Sequence, residues 1–219
     1  KLERPPPETL LNMEVSELAF QERVLALAED SSTPLLERVR FLSILGSNLD
    51  QFFRTRVAGF HKQLASGSSK LTLDGMTAEQ QLEVIGIRVR HLLDRTYTYL
   101  RERLLPELER EGIVLLHWED LDHTDRDYLE DNYAMQLGAV LTPLAADPSR
   151  PFPHIRNLRP ALAVIVRTPG TDQERFAAIE LPGDLPRFVP LPGGRRFIPI
   201  EEMIRASLPE LYRGLEVVQ

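Results

Sequence analysis

The sequence predicts an α+β protein: an amino-terminal antiparallel bundle of long helices, followed by a smaller mixed α/β part. Three observations carry this expectation. Apolar residues recur every three or four positions in three segments between Ser16 and Leu108. At Ile113 the pattern changes to short apolar runs separated by Pro169-Gly170, Pro182-Gly183 and Gly193-Gly194 turns. Composition is globular, with 42% hydrophobic and 27% charged residues over 219 positions. The boundary falls between residues 1–111, helical with an arm at 1–11, and residues 112–219, whose completeness stays open.

The three prolines Pro5 to Pro7 mark the arm as extended. A first helix is expected from Ser16 to about Asp30, with Leu18, Val24, Leu25 and Ala28 as its apolar stripe. Pro34 then suits the first position of a second helix, where a missing N–H costs nothing. Its stripe runs Leu35, Val39, Leu42, Leu45, Leu49, Phe52, Phe53, Val57, Phe60, Leu64, a rod about 45 Å long at 1.5 Å per residue. Thr77 and Gln80 form a capping-box pattern that opens a third helix. There Leu82, Ile85, Val89, Leu92, Leu93, Leu100, Leu104 and Leu108 line one face, Pro106 predicts a kink, and Gly112 a stop. One-faced helices need each other, hence a bundle.

Beyond it, Ile113–Leu116 reads as a strand and Thr124–Gly138 as a helix opened by Thr124 and Asp127. Leu141–Pro160 reads as a proline-rich loop. Strands follow at Ala161–Arg167, Arg175–Leu181, Arg187–Leu191 and Arg196–Ile200, and a last helix at Glu201–Tyr212. Strands and helices alternate irregularly, which favours α+β over a doubly wound sheet.

The net charge of −7, from 33 acidic and 26 basic residues, argues against a dedicated nucleic-acid binder. No apolar run reaches the roughly 18 residues of a membrane span, and peripheral membrane association stays open. The chain has no cysteine, which removes disulfide and thiolate chemistry, and cytoplasm is the expected location.

No Walker loop, GxGxxG or GxSxG motif occurs. The chain is expected to hold no catalytic residue and no metal site of its own. His117, Glu119, Asp120, Asp122, His123, Asp125 and Asp127 cluster, but their spacing matches no closed ligand set. They read as a solvated loop leading into a helix whose first turn favours acids. The basic pairs Arg38/Arg40 and Arg54/Arg56 read as mostly solvated, with at most one of each pair facing a given groove.

Asn48, within Ser47-Asn48-Leu49-Asp50, is the informative residue. It lies three after Leu45 and four before Phe52, along the apolar flank of the longest helix. Asparagine is a poor helix former, and a buried amide left unpaired costs roughly 1–3 kcal/mol. Two readings follow: an amide satisfied by a neighbouring helix, or one presenting donor and acceptor edges to a ligand such as a purine.

Ser16 to Leu25 (SELAFQERVL), Pro34 to Phe53 (PLLERVRFLSILGSNLDQFF) and Arg56 to Gly59 (RVAG) together resemble the amino-terminal helical domain of bacterial polyphosphate kinases. Pro106 to Ile113 (PELEREGI), Leu141 to Pro153 (LTPLAADPSRPFP) and Leu185 to Val189 (LPRFV) resemble the start of that family's head domain. Order and spacing agree over nearly all of residues 12–217. The resemblance implies an enzyme that reversibly moves the terminal phosphoryl of ATP onto inorganic polyphosphate through a phosphohistidine. The phosphohistidine and the Mg2+ ligands would lie in later domains, so the fragment alone is expected to be inactive. It further implies ATP/ADP and polyphosphate as partners, a homo-oligomer, and a nucleotide contact at Asn48 on the adenine side of ATP.

Departures concentrate near the start. The usual arginine and tryptophan of the first segment are Met13 and Glu17, the usual asparagine before Glu22-Arg23 is Gln21, and the usual acid after SNLD is Gln51. These changes motivate the alternative reading, a noncatalytic assembly module of a diverged paralogue.

Overall fold

The computed structural model describes residues 5–141, 144–145 and 155–218. It divides into two compact units, Lys1–Leu108 and Glu109–Gln219, each with its own hydrophobic core.

In the first unit, helix α1 spans Met13–Glu29. It starts three residues earlier than the apolar pattern suggests because Asn12 is its N-cap, Oδ1 accepting the Val15 N–H at 2.8 Å. The expected stripe Leu18, Val24, Leu25, Ala28 is buried. Helix α2 (Leu35–Phe52) follows, with Pro34 as its N-cap rather than its first helical residue. A π-helical turn at Phe53–Val57 leads directly into α3 (Ala58–Ala65). Here the sequence stripe needs correction: Val39, Phe53 and Leu64 are exposed, while Arg38 is buried beside Leu45, Leu49 and Phe52. The π turn takes extra residues per turn and rotates the following positions, so Phe53 turns outward while Val57 and Phe60 return to the core.

Helix α4 (Ala78–Tyr99) opens with the Thr77/Gln80 capping box, closed by bonds of 2.9 and 3.2 Å. A second π turn, Leu100–Leu104, joins it to α5 (Leu105–Arg110). Pro106 brings no N–H, and its ring would press on a carbonyl one turn back; the widened turn just before it relieves that conflict. Gly112, at φ +78°, ends the rod.

Side-chain pairs set the directions. Gln21 bonds Asn48, and Ala28 bonds Arg38, so α1 and α2 run antiparallel. Glu22 pairs with Arg88 and Glu29 with Arg95, so α4 runs parallel to α1 and antiparallel to α2. Successive rods therefore alternate in direction. Each fully buried leucine in this core contributes about 2 kcal/mol.

The second unit comprises β1 (Val114–Leu115), α6 (His123–Val140), β2 (Leu144–Ala145), β3 (Ala161–Arg167), β4 (Glu174–Glu180), β5 (Phe188–Pro190), β6 (Arg196–Pro199), α7 (Ile200–Ala206), α8 (Leu208–Leu211) and β7 (Glu216–Val217). Among the described residues two sheets form, β1-β6-β5 and β2-β4-β3-β7. β1 pairs parallel with β6, and β3 pairs antiparallel with β4 from Ala161↔Glu180 to Arg167↔Glu174. Val164, Val166, Ala177, Ile179, Val189 and Ile198 bury against Ile200, Met203 and Ile204.

Three expectations shift. α6 is capped by Asp122, whose side chain accepts the Asp125 N–H at 2.8 Å, not by Thr124 or Asp127. The last helix breaks at Ser207, because Pro209 has no N–H to continue the ladder. The segment read as a loop contains β2, paired with β4; the rest of 142–154, including His154, lies outside the described residues.

Candidate functional site

Asn48 is partly buried midway along α2. Its Nδ2 donates to Oε1 of Gln21 on α1 at 3.0 Å. Gln21 is itself buried. The glutamine therefore holds the asparagine amide in one orientation. Among the described residues Asn48 Oδ1 has no partner, and one Nδ2 hydrogen remains uncommitted. That leaves an acceptor and a donor side by side on a half-exposed flank, the edge that matches the N6–H and N7 of adenine. Both readings of Asn48 hold at once: one part of its amide is satisfied by a neighbouring helix, and one part stays available.

Phe20 precedes Gln21 and is about half exposed, with the Arg23 guanidinium 5.6 Å from its ring centre. Glu17, one turn before Gln21, pairs with Arg56 at 3.8 Å. The charge at position 17 thus has a partner on the neighbouring rod, and α1 docks through Leu18, Val24, Leu25 and Ala28 instead.

Of the basic residues read as solvated, Arg40, Arg54 and Arg56 are exposed. Arg38 is the correction, only 5% exposed. Its Nε donates to Ala28 O at 3.0 Å and to the Tyr99 hydroxyl at 2.8 Å, and its Nη atoms reach Tyr99 and Glu107. The Tyr99 hydroxyl also donates to Ala28 O at 2.6 Å. Ala28 carries one of the last four carbonyls of α1, which have no partner inside the helix, so this cluster caps that end. Hydrogen bonding to Glu107 raises the Arg38 pKa, with burial opposing it. The heptad 38, 45, 52 would have identified Arg38 as core-facing, since the two later positions are Leu45 and Phe52.

The acidic and histidine run in the second unit is built into local structure. Asp122 caps α6, and Asp120 accepts the His117 N–H at 3.1 Å. Asp125, 3% exposed, holds Arg196 of β6 in a bidentate pair. His123 lies 3.5 Å from Asp127, and His117 lies 3.6 Å from Glu202. No group of three His, Asp or Glu among the described residues is placed to hold a metal ion. No helix of the described residues is long and apolar enough to cross a membrane.

Comparison with known proteins bears on both units. A profile described as the polyphosphate kinase N-terminal domain matches residues 10–116, and one described as the polyphosphate kinase middle domain matches residues 124–219. The chain belongs to the polyphosphate kinase family. A polyphosphate kinase of Mycobacterium ulcerans is 43% identical over 224 residues, covering 98% of this chain and 30% of that protein. One from Mycobacterium tuberculosis is 42% identical over 228 residues, covering 98% and 31%. The crystal structure of a polyphosphate kinase from Porphyromonas gingivalis superposes with a TM-score of 0.83 at 29% identity, covering 95% of this chain and 31% of that one. The chain thus spans about a third of the length of these polyphosphate kinases.

Proposed function

We propose that this chain is the amino-terminal part of an enzyme that reversibly transfers the terminal phosphoryl of ATP to inorganic polyphosphate. Asn48 supplies a contact on the adenine side of ATP, and catalysis belongs to later domains. The observation that carries the site assignment is the Gln21–Asn48 bond of 3.0 Å, which orients the amide while leaving an acceptor and a donor unused. Mg2+, which the family resemblance implies for the whole enzyme, finds no fitting ligand set among the described residues. The whole protein self-associates and works in the cytoplasm.

The test is ATP affinity and turnover of the full-length protein before and after Asn48→Ala. Loss of a bidentate amide contact, about 1–3 kcal/mol, predicts roughly 5- to 150-fold weaker nucleotide binding. Gln21→Ala should weaken binding less, by releasing the amide without removing it. Unchanged affinity and turnover in Asn48→Ala would sink the assignment. A full-length protein without phosphoryl transfer would favour a noncatalytic assembly module instead.

A further inference from the structure

A hollow of about 400 Å³ lies within the second unit, where α6 faces the α7–α8 pair. Its floor is the outer surface of that unit's core. Leu129, Leu137 and Met203 are buried there, and Trp118 packs against the same cluster half-buried. Ala206 and Ser207, small residues at the break between α7 and α8, leave open the space that longer side chains would fill. The Ser207 hydroxyl donates to Met203 O at 3.0 Å and so turns back onto its own helix.

Around this floor the charge is mostly negative. Asp127 and Glu130, three residues apart and so on one face of α6, line one side, and Glu210 of α8 lines the other. All three are exposed. The lining also includes Arg126 and His123. The Arg126 guanidinium lies 5.7 Å from the centre of the Trp118 ring and donates from Nη2 to Trp118 O at 3.2 Å, which draws it toward Trp118. The His123 imidazole lies 3.5 Å from Asp127. Glu130 and Glu210 pair with no cation among the described residues.

Three carboxylates against one guanidinium repel phosphate, so neither a nucleotide nor a nucleic acid suits this hollow. No three of its His, Asp and Glu side chains are placed to hold a metal ion. An apolar floor between carboxylate rims instead complements an apolar side chain with cations on both sides of it. A thread-like polyamine would meet the carboxylates but leave much of the volume unfilled. We propose that the hollow between α6 and α7–α8 docks a basic peptide segment of a partner protein. A leucine or phenylalanine of that segment sits on Trp118, Leu129, Leu137 and Met203, and lysines or arginines beside it meet Asp127, Glu130 and Glu210. This surface is independent of the reading of Asn48.

Trp118 is the only tryptophan of the chain, so its emission reports on the hollow directly. The experiment titrates the 219-residue chain, each unit of which carries its own core, with a short peptide whose central leucine pair is flanked by lysine pairs. Two control peptides replace the leucines by serines or the lysines by glutamates. The leucine–lysine peptide should change the emission saturably and bind at least about 10-fold more tightly than the serine version. Glu130→Lys and Glu210→Lys, both exposed changes, should each weaken it by about 3- to 10-fold, and together by about 10- to 100-fold. The doubly reversed chain should bind the leucine–glutamate peptide more tightly than the leucine–lysine one. No saturable change, or equal binding of the serine peptide, overturns the proposal. Displacement by spermidine at equal concentration, or a doubly reversed chain that keeps the original preference, overturns it as well.

Discussion

Replacing Arg38 by methionine keeps most of the side-chain volume and removes every hydrogen bond that the guanidinium makes in the cluster closing α1. Arg38 bonds Ala28 O, the Tyr99 hydroxyl and Glu107 at once, and its side chain is 7% exposed. Truncating one partner of a buried pair costs about 3–5 kcal/mol, much of it from the charge left behind. That charge is Glu107, whose side chain is 29% exposed. Water reaches it, which places the cost near the bottom of the range. Ala28 O keeps the Tyr99 hydroxyl, so the carbonyl is not orphaned. The expected loss is about 3 kcal/mol for Arg38→Met. Arg38→Lys keeps the charge but not the planar fork, and should lose about 1–2 kcal/mol. Urea unfolding followed by far-UV circular dichroism measures both, since most of the helical signal comes from residues 13–110. A loss below about 1 kcal/mol for Arg38→Met would show that the pair behaves like a surface ion pair.

Thr77→Ala should cost about 1 kcal/mol in the same urea experiment, because it opens the capping box at the start of α4. Tyr212 is buried, its hydroxyl has no partner among the described residues, and burial raises its pKa. Tyr212→Phe should therefore be neutral or stabilising by up to about 1 kcal/mol, and a loss of more than that in thermal unfolding would reveal a bond at that hydroxyl. Asp74 titrates below its ordinary value of 3.8, because hydrogen bonds from Thr72 and Asn12 outweigh the opposing effect of burial. A folded pKa below the unfolded one means the contribution is complete above about pH 5 and fades as pH falls through 3.8 and lower. Asp74→Asn should flatten that part of the acid limb in a pH series of unfolding midpoints, and an unchanged limb would reject the linkage.

The three rods were legible because their apolar periodicity is local. Leu18, Leu25 and Ala28, or Ile85, Val89 and Leu92, show their buried face at 3.6-residue spacing without reference to any other segment. The capping box at Thr77 was equally readable, since all its partners lie within four residues. Some differences arise where the helix departs from the ideal period, others, at Arg38 and Val39, within the regular helix α2. The π turn at Phe53–Val57 shifts the pattern that follows it, and no local signal announces it. The break at Ser207 has a local cause in Pro209.

At the candidate site the division is similar. Asn48 stood out by its residue type on an apolar flank. Gln21, its partner 27 positions away, was visible only as a change of residue type. Arg38 and Glu107, 69 positions apart, came together at the end of α1 only once α1, α2 and α5 lay side by side. The sequence by itself determined the helical faces, the caps, the change of period near residue 112 and the family pattern, because these depend on neighbours within a turn or two. Tertiary structure decided which polar side chains are paired, buried or left open, because burial and hydrogen bonding depend on atoms that distant segments bring together.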